Sequence, residues 1–441
     1  MSSRLEGQLD YLEDVTRWVE GNRDTIVDTI SKLVQIRTEN LPPGGNEKAG
    51  QEYLYEKFSE FIPGSEPDLF EVDDVPGIRE HPLFFPTIDG QPRLYKDRPI
   101  LVTAVRGRGG GRSLCFSGHI DTVPSYRDEW DVFGDPFSGK VKDGKMYGRG
   151  TIDMKAGTAS GFFALKCLHD LGVKLRGDVY AESVVDEENG GVNGSIAARL
   201  RNPDVDFAIV PEPSDMCVGI ESIVGSDWKF TVTEHGPGGI GTDVQLPNPA
   251  YKLSKIALAL EEYDKRLAAF EVPETYDADM RVRLLTYQLH CGGSAYQEAG
   301  AVPTSGHIFF WQEVFSYLSE EQARNDLLDF MRERLGGDPD FRDNFPKFET
   351  VIRFLEGHKT DRNHPALASI RQAYGQLNLE YREKGIPFAT DAYCFKKVSR
   401  TDVAIIGPKG GNIHGIDEYV EIDSVMNLIK MMVLTAIDFC A

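Results

Sequence analysis

The sequence is poor in the features that mark several large protein classes. Its six cysteines, Cys115, Cys167, Cys217, Cys291, Cys394 and Cys440, stand singly among 441 residues, with neither disulfide-scaffold density nor a CxxC zinc pattern. They read as reduced, buried and structural. Basic side chains are outnumbered, 48 against 70 acids, and the net charge of -22 opposes binding to phosphate backbones or anionic membranes. No stretch approaches the roughly 20 apolar residues of a membrane span. The opening MSSRLEGQLDYLEDVTRW lacks the basic segment and apolar run of a secretory signal. The expectation is a cytoplasmic protein with no nucleic-acid partner and no membrane. Nothing repeats, and 41% hydrophobic with 27% charged residues is the composition of an ordinary packed fold.

What is present begins with length: 441 residues are many for one core, so two domains are expected. Residues 8 to 37 read as helix from the spacing of Leu9, Leu12, Val15, Val19, Ile26, Ile30 and Leu33. KAGQEYLYEKFSEF reads as a second helix, followed by a polar, Pro-rich connection over 62 to 98. PILVTAV and SLCFSGH read as a strand pair whose Gly/Arg-rich joint, RGRGGGR, is a hairpin turn rather than a phosphate cradle. Beyond them, helix AGTASGFFALKCLHDL, strand DVYAESVV, helix VNGSIAARL and strand DFAIV alternate. Such alternation, with polar residues at the strands' carboxyl ends, marks an open α/β sheet with its site along one edge.

Near residue 225 the pattern changes to strand, helix, strand, strand, helix, strand, which describes a small two-layer α+β module. From about 358 the α/β alternation resumes. The domain reading is therefore 1–223, an inserted 224–356, and a return at 357–441.

The chemistry concentrates at strand ends. In CFSGHID, His119 and Asp121 are two apart and point to one side of a strand, so one can hold a metal while the other orients it. A buried histidine satisfied by a neighbouring acid would look the same. The groups downstream decide otherwise: the acids Asp153 in GRGTIDMKAG, Glu187 and Glu188 in DEENGG and Glu212 in PEPSD, and finally His414 in GNIHGIDEYVEI.

In order and separation, SGHIDTVP, GRGTIDMKAG, DEENGG, PEP and GNIHGIDEYVEI resemble the motif set of one metallohydrolase family. That family contains acetylornithine deacetylase, succinyl-diaminopimelate desuccinylase, aminoacylase and glutamate carboxypeptidase. The resemblance covers essentially the whole chain. It implies an α/β catalytic domain of zinc-peptidase type, a mixed, mostly parallel sheet flanked by helices, with an inserted α+β two-layer lid and dimerisation domain. It also implies a homodimer or higher homo-oligomer built through that domain. By the same resemblance His119, Asp153 and Glu212 would hold one divalent ion, Asp153, Glu188 and His414 another, and Asp153 would bridge them. Glu187 would move the proton of the attacking water, Asp121 would orient His119, and His235 would reach a partner's site to polarise the substrate carbonyl.

The residue chemistry agrees with these implied roles. A bridging ligand needs two acceptor oxygens and full negative charge, which Asp153 supplies. Imidazole and carboxylate ligands suit zinc, with manganese or cobalt as alternatives, and one or two ions are expected. His290 and His307 read as packing or substrate-facing, His358 and His364 as structural.

Two departures fall on the substrate side. Where the family places an arginine that clamps a substrate carboxylate, this chain reads Phe310, Trp311, Gln312, Glu313, and GPGGIGTDVQLPNPA replaces the usual segment after His235. The aromatic pair Phe310 and Trp311 suggests a flat substrate group. The resulting expectation is a metal-dependent hydrolase of a carbon–nitrogen bond, acting on the amide of an N-acyl amino acid or similar small molecule. An aminohydrolase releasing ammonia from an aromatic amine is the alternative. A metallo-exopeptidase is weakened by the missing arginine, and a catalytically inactive metal-binding protein by the presence of Glu187.

Overall fold

The computed structural model describes residues 2–190, 192–234, 248–292 and 303–441. The chain forms two compact units, Met1–Glu221 with His358–Ile386 and Thr390–Ala441, and Ser222–Gly357 with Pro387–Ala389. Among the described residues no helix is long and apolar enough to cross a membrane.

In chain order the strands of the two principal sheets are β1 (Asp68–Phe70), β2 (Ile100–Val105), β3 (Leu114–His119), β4 (Val179–Val184), β5 (Phe207–Val210), β6 (Val218–Ser222), β7 (Val224–Thr233), β8 (Leu284–Cys291), β9 (Ser305–Val314), β10 (Lys347–Thr350), β11 (Glu383–Ile386) and β12 (Asp402–Ile405). The helices are α1 (Ser2–Gly21), α2 (Arg23–Gln35), α3 (Lys48–Phe61), α4 (Ala156–Asp170), α5 (Asn193–Arg201), α6 (Pro249–Leu267), α7 (Glu320–Leu335), α8 (Pro365–Gln376), α9 (Tyr393–Lys397) and α10 (Ile422–Phe439).

The first unit is built on an eight-stranded sheet ordered β11-β6-β12-β5-β3-β4-β2-β1. Its centre, β12, β5, β3 and β4, is parallel, whereas β2 runs antiparallel to β4, β1 to β2, and β6 to β12. Of these, β3, β4 and β5 are buried along their whole length, as expected of strands covered on both faces. A Cβ on Gly161 of α4 would touch Phe116 and Ala181, while Arg199 of α5 pairs with Glu182. Because neighbouring strand residues face opposite ways, α4 and α5 cover opposite faces.

Two local readings change. The helical stretch over 8 to 37 is two helices, broken at Asn22, whose Nδ2 donates to the Trp18 carbonyl at 2.8 Å. Asparagine satisfies the backbone locally and so favours a break. Nor do β2 and β3 form a hairpin, since β4 lies between them. The glycines of the 106–113 loop serve close approach instead. A Cβ on Gly111 would come within 2.4 Å of the Gly177 nitrogen, and Gly109 N–H donates to the Arg176 carbonyl at 2.8 Å. The loop thus crosses the entry of β4 in contact with its backbone.

The second unit is an antiparallel sheet ordered β8-β9-β7-β10 with α6 and α7. Alternation along β9 sends Ile308 and Phe310 into the core with Trp228, Phe230 and Leu260, and the Phe310 ring stacks on Phe230 at 5.6 Å. Phe310 is therefore a core residue, which corrects its reading as a substrate contact. Trp311 takes the other face, its ring against Gly225, where a Cβ would meet it at 2.2 Å.

His358 opens the chain's return to the first unit and is buried, its Nε2 3.4 Å from the Gly219 carbonyl. Burial pulls its pKa from 6.5 down to about 4, against partial support from that carbonyl. Between these values the unfolded chain binds a proton that the folded chain refuses, so stability falls as pH falls, by about 3 kcal/mol once below both. Urea titrations of wild type and His358→Gln from pH 7 to 4 should show a shallower decline in the variant. Parallel declines would remove His358 as the cause.

Candidate metal centre

Every group in the cluster stands where regular structure ends. His119 is the last residue of β3, Glu187 and Glu188 lie in the turn after β4, and Glu212 follows β5. These are carboxyl ends of adjacent parallel strands, where open α/β sheets place their sites. Asp153 lies in the irregular turn Thr151–Lys155 that leads into α4. Gly157, in the first turn of α4, allows that helix to pack on the Glu212 segment, for a Cβ there would lie 2.2 Å from the Pro211 carbonyl oxygen. Lys155 is buried and donates to the Leu33 and Ile36 carbonyls at 3.1 and 2.8 Å, capping the end of α2. A small four-stranded sheet pairs Lys145–Tyr147 with Tyr419–Glu421, which joins the Asp153 loop to the His414 loop.

The geometry centres on Asp153. Its Oδ1 lies 3.2 Å from His119 Nε2, and its Oδ2 lies 3.1 Å from His414 Nε2. Glu212 Oε1 is 3.5 Å from His119 Nε2, and Glu188 Oε2 is 2.9 Å from His414 Nε2. Two sets of three donors result, His119, Asp153 and Glu212, and Asp153, Glu188 and His414, each with its ligand atoms within 4.8 Å of one another. Glu187 Oε2 stands beside them, 4.0 Å from His119 Nε2. His414 is half-exposed and holds a left-handed backbone at φ 57, whereas His119 and Glu212 are buried.

Electrostatics among the protein groups is severe. Burial, then the acids Glu212, Asp391 and Glu188, push the Glu187 carboxyl well above its usual range. Burial and Asp153 raise Glu188, and the same causes lift Glu212 to about 8. Burial also works against charge on both imidazoles, yet Glu212, Asp153 and Glu187 hold His119 raised, and Glu188 and Asp153 hold His414 raised. Asp153 alone is driven down, burial being outweighed by His119 and His414. Buried carboxylates packed this closely call for compensating positive charge. Imidazole nitrogens and carboxylate oxygens are the donors a divalent first-row ion accepts, so the residues fit a metal centre.

The supports are as informative as the donors. Glu418 is fully buried; its Oε2 accepts from Arg149 NH1 at 2.6 Å and Gly150 N–H at 3.0 Å, its Oε1 from Ile152 and Asp153 N–H at 3.1 and 3.3 Å. Arg149 NH2 also donates to the His414 carbonyl at 3.3 Å. His119 Nδ1 lies 2.9 Å from the Asp121 backbone carbonyl and 3.6 Å from its carboxylate. The Asp121 carboxylate accepts from Asn40 Nδ2 at 2.8 Å and Glu188 N–H at 3.0 Å. Asp391, buried and bonded by the Ser195 hydroxyl, adds a further acid near Glu187 and Glu212.

Glu418, Asn40 and Asp391 escaped the sequence reading. Glu418 follows Asp417 in an acidic stretch, and Asp391 is a lone acid in TDAYCF, so each offers only a faint signal. His235 lies outside the described residues.

The fold and cluster are those of a metallohydrolase whose donors gather at the carboxyl edge of an α/β sheet. Residues 115–438 match the pattern of peptidase family M20/M25/M40. The chain belongs to this family and is a metal-dependent hydrolase of carbon–nitrogen bonds. End to end it is similar to N-formyl-4-amino-5-aminomethyl-2-methylpyrimidine deformylase of Halalkalibacterium halodurans, 22% identical over 462 residues that cover 98% of each chain. Over a shorter span, 36% of this chain and 44% of the other, it is 34% identical to succinyl-diaminopimelate desuccinylase of Bradyrhizobium sp.. Among solved structures, the dipeptidase Dug1p of Saccharomyces cerevisiae superposes with a TM-score of 0.72 at 14% identity, covering 97% of this chain and 98% of that one.

Removing the Glu418 carboxylate leaves a buried guanidinium and three amide N–H groups without their acceptor. Glu418→Ala should cost about 3–5 kcal/mol in denaturant titration, and weaken metal retention about 10- to 100-fold. Wild-type stability and metal content in the variant would show that the loop holds itself.

Proposed function

We propose that this chain removes a short acyl group from the nitrogen of a small molecule, an amide hydrolysis that yields a carboxylic acid and an amine. One observation carries the reading: the two oxygens of Asp153 face one imidazole each, with the Glu187 carboxylate adjoining. His119, Asp153 and Glu212 would hold one divalent ion and Asp153, Glu188 and His414 a second, zinc by preference, with manganese or cobalt also suited. Bound there, the metal supplies Lewis-acid activation of water and of the scissile carbonyl.

The chain's own residues do the rest. Glu187, whose carboxylate adjoins the donors 4.0 Å from His119 Nε2, takes the proton of the attacking water at a carboxylate oxygen and returns it to the leaving nitrogen. Glu188 is fixed through its own N–H by Asp121, and His119 by the Asp121 carbonyl. The end-to-end likeness to a deformylase of an N-formyl aminomethylpyrimidine favours a formyl or similarly small acyl group on an amine carried by a heteroaromatic ring system. Such a substrate has no carboxylate and would not require the arginine that FFWQEV lacks.

The test is a panel of formamides and acetamides of aminomethyl-pyrimidines and of amino acids, with formate, acetate and ammonia each quantified. Formate or acetate release supports the proposal, and ammonia without acid supports an aminohydrolase instead. Glu187→Gln should keep its metal by elemental analysis and lose about 10²- to 10⁴-fold in turnover. Full turnover in that variant removes Glu187 as the base.

The reading extends to assembly in the cytoplasm as a homodimer through the second unit. There β8 is an edge strand, and Leu285, Tyr287 and Leu289 on it are 60%, 49% and 47% exposed. An apolar strand edge of this kind is a pairing surface. Leu285→Glu combined with Leu289→Glu should halve the sedimenting mass, and an unchanged mass would place the contact elsewhere.

A further inference from the structure

The connection over residues 62–98 reads in sequence as a polar linker, yet its last part is among the most buried polar structure in the protein. Arg93, Tyr95 and Arg98 are 3%, 1% and 1% exposed. All three reach Asp186, the residue before Glu187. Arg93 NH1 donates to Asp186 Oδ1 at 2.9 Å, Tyr95 O–H to Oδ2 at 2.6 Å, and Arg98 NH2 stands 3.5 Å from Oδ1. Asn40 Nδ2, already bonded to Asp121, lies 3.4 Å from the same Oδ1.

The contacts continue along the turn. Arg93 NH2 donates to the Asn189 carbonyl at 2.8 Å. The Tyr95 oxygen also accepts from Asn193 Nδ2 at 2.5 Å, and Asn193 pairs with both backbone groups of Phe85 at 2.9 and 3.0 Å. The turn that presents Glu187 and Glu188 is thus held at its start, its middle and its end by one segment, and a single phenol oxygen joins its two ends.

We propose that Arg93 and Tyr95 are positioning residues that set the Glu187 carboxylate at the reacting atoms through Asp186, an inference that rests on the assignment of Glu187 as the base. Three observations carry it. Val192, at the far end of the turn beside Asn193, holds φ 47, a left-handed backbone that a β-branched residue keeps only under restraint. Glu187 and Glu188, the two residues after Asp186, are directed to different imidazoles, Glu188 Oε2 2.9 Å from His414 Nε2 and Glu187 Oε2 4.0 Å from His119 Nε2. Arg98 also pairs with buried Glu47 at 2.6 Å, which ties the same segment to the residue that precedes α3. The guanidinium fork matters, since one arm takes a carboxylate and the other a carbonyl, which an ammonium cannot reproduce.

The experiment compares Tyr95→Phe, Arg93→Met, Arg93→Lys and Glu187→Gln as isolated with zinc, on whichever amide of the panel wild type turns over fastest. Tyr95→Phe removes one oxygen and keeps the ring, so it decides the matter if Arg93→Met does not fold. Expected for Tyr95→Phe is a kcat about tenfold lower or more, with KM within about twofold and zinc content unchanged. Arg93→Lys should recover only part of the loss seen in Arg93→Met. In the Glu187→Gln background, Tyr95→Phe should lower kcat little further, because residues acting through one group are not additive.

A lowered melting temperature with wild-type kcat per zinc-loaded molecule would overturn the proposal, as would a raised KM at constant kcat or full additivity with Glu187→Gln. The base assignment fails separately: Glu187→Gln would then turn over like wild type, whatever Tyr95→Phe does.

Discussion

Asp153 divides its two carboxylate oxygens between two imidazoles that reach it from distant parts of the sequence. The rest of the first unit can be understood as what that division requires. A bidentate position with one donor on each side tolerates little displacement, so both loops that form it must be fixed to each other. They are, by Lys145–Tyr147 pairing with Tyr419–Glu421 and by Glu418, which accepts N–H groups from the Asp153 loop while its own backbone belongs to the His414 loop. The parallel strands then bring His119, Glu187, Glu188 and Glu212 to the same edge through sheet register.

Gathering these acids works against folding. Burial and mutual repulsion raise Glu187, Glu188 and Glu212, and only Asp153, between two imidazoles, is pulled the other way. Carboxylates in such a setting are stable as anions only beside cations. The cluster therefore trades stability for affinity toward positive charge, the compromise expected of a functional site rather than of a core.

How much of this was legible in sequence follows from what each signal depends on. His119, Glu187, Glu188 and Glu212 were legible because each stands at or just beyond the carboxyl end of an apolar run, a position that sheet topology makes functional, whereas Asp153 and His414 sit in loops and were legible only through the motif set. The α+β module was legible because strand and helix periods differ. Strand pairing was less so: PILVTAV and SLCFSGH look like a hairpin, but register is decided by β4, which arrives some sixty residues later and inserts between them. Phe310 misled for a related reason, since its direction depends on which face of β9 the helices cover. The clamp over residues 85–98 was invisible, because Arg93, Tyr95 and Arg98 serve a turn far along the chain and, read locally, look like side chains facing solvent.

The stretch Asp186-Glu187-Glu188 shows why composition alone cannot separate such roles. Three consecutive acids carry the same charge and nearly the same chemistry, and they differ in what already satisfies them. Asp186 accepts from Arg93 and Tyr95 and has nothing left to offer a ligand. Glu188 keeps one oxygen for the Val123 N–H and turns the other to His414. Glu187 meets imidazole only at 4.0 Å, the position that the proposed base requires. Glu418 belongs with Asp186, saturated by N–H donors, and Asp121 stands between the classes, one oxygen bonded and the other without a hydrogen-bond partner 3.6 Å from His119. Anchors are saturated acids and reactive groups are unsaturated ones. Since saturation is set by residues distant in sequence, the roles become separable only once the chain has folded.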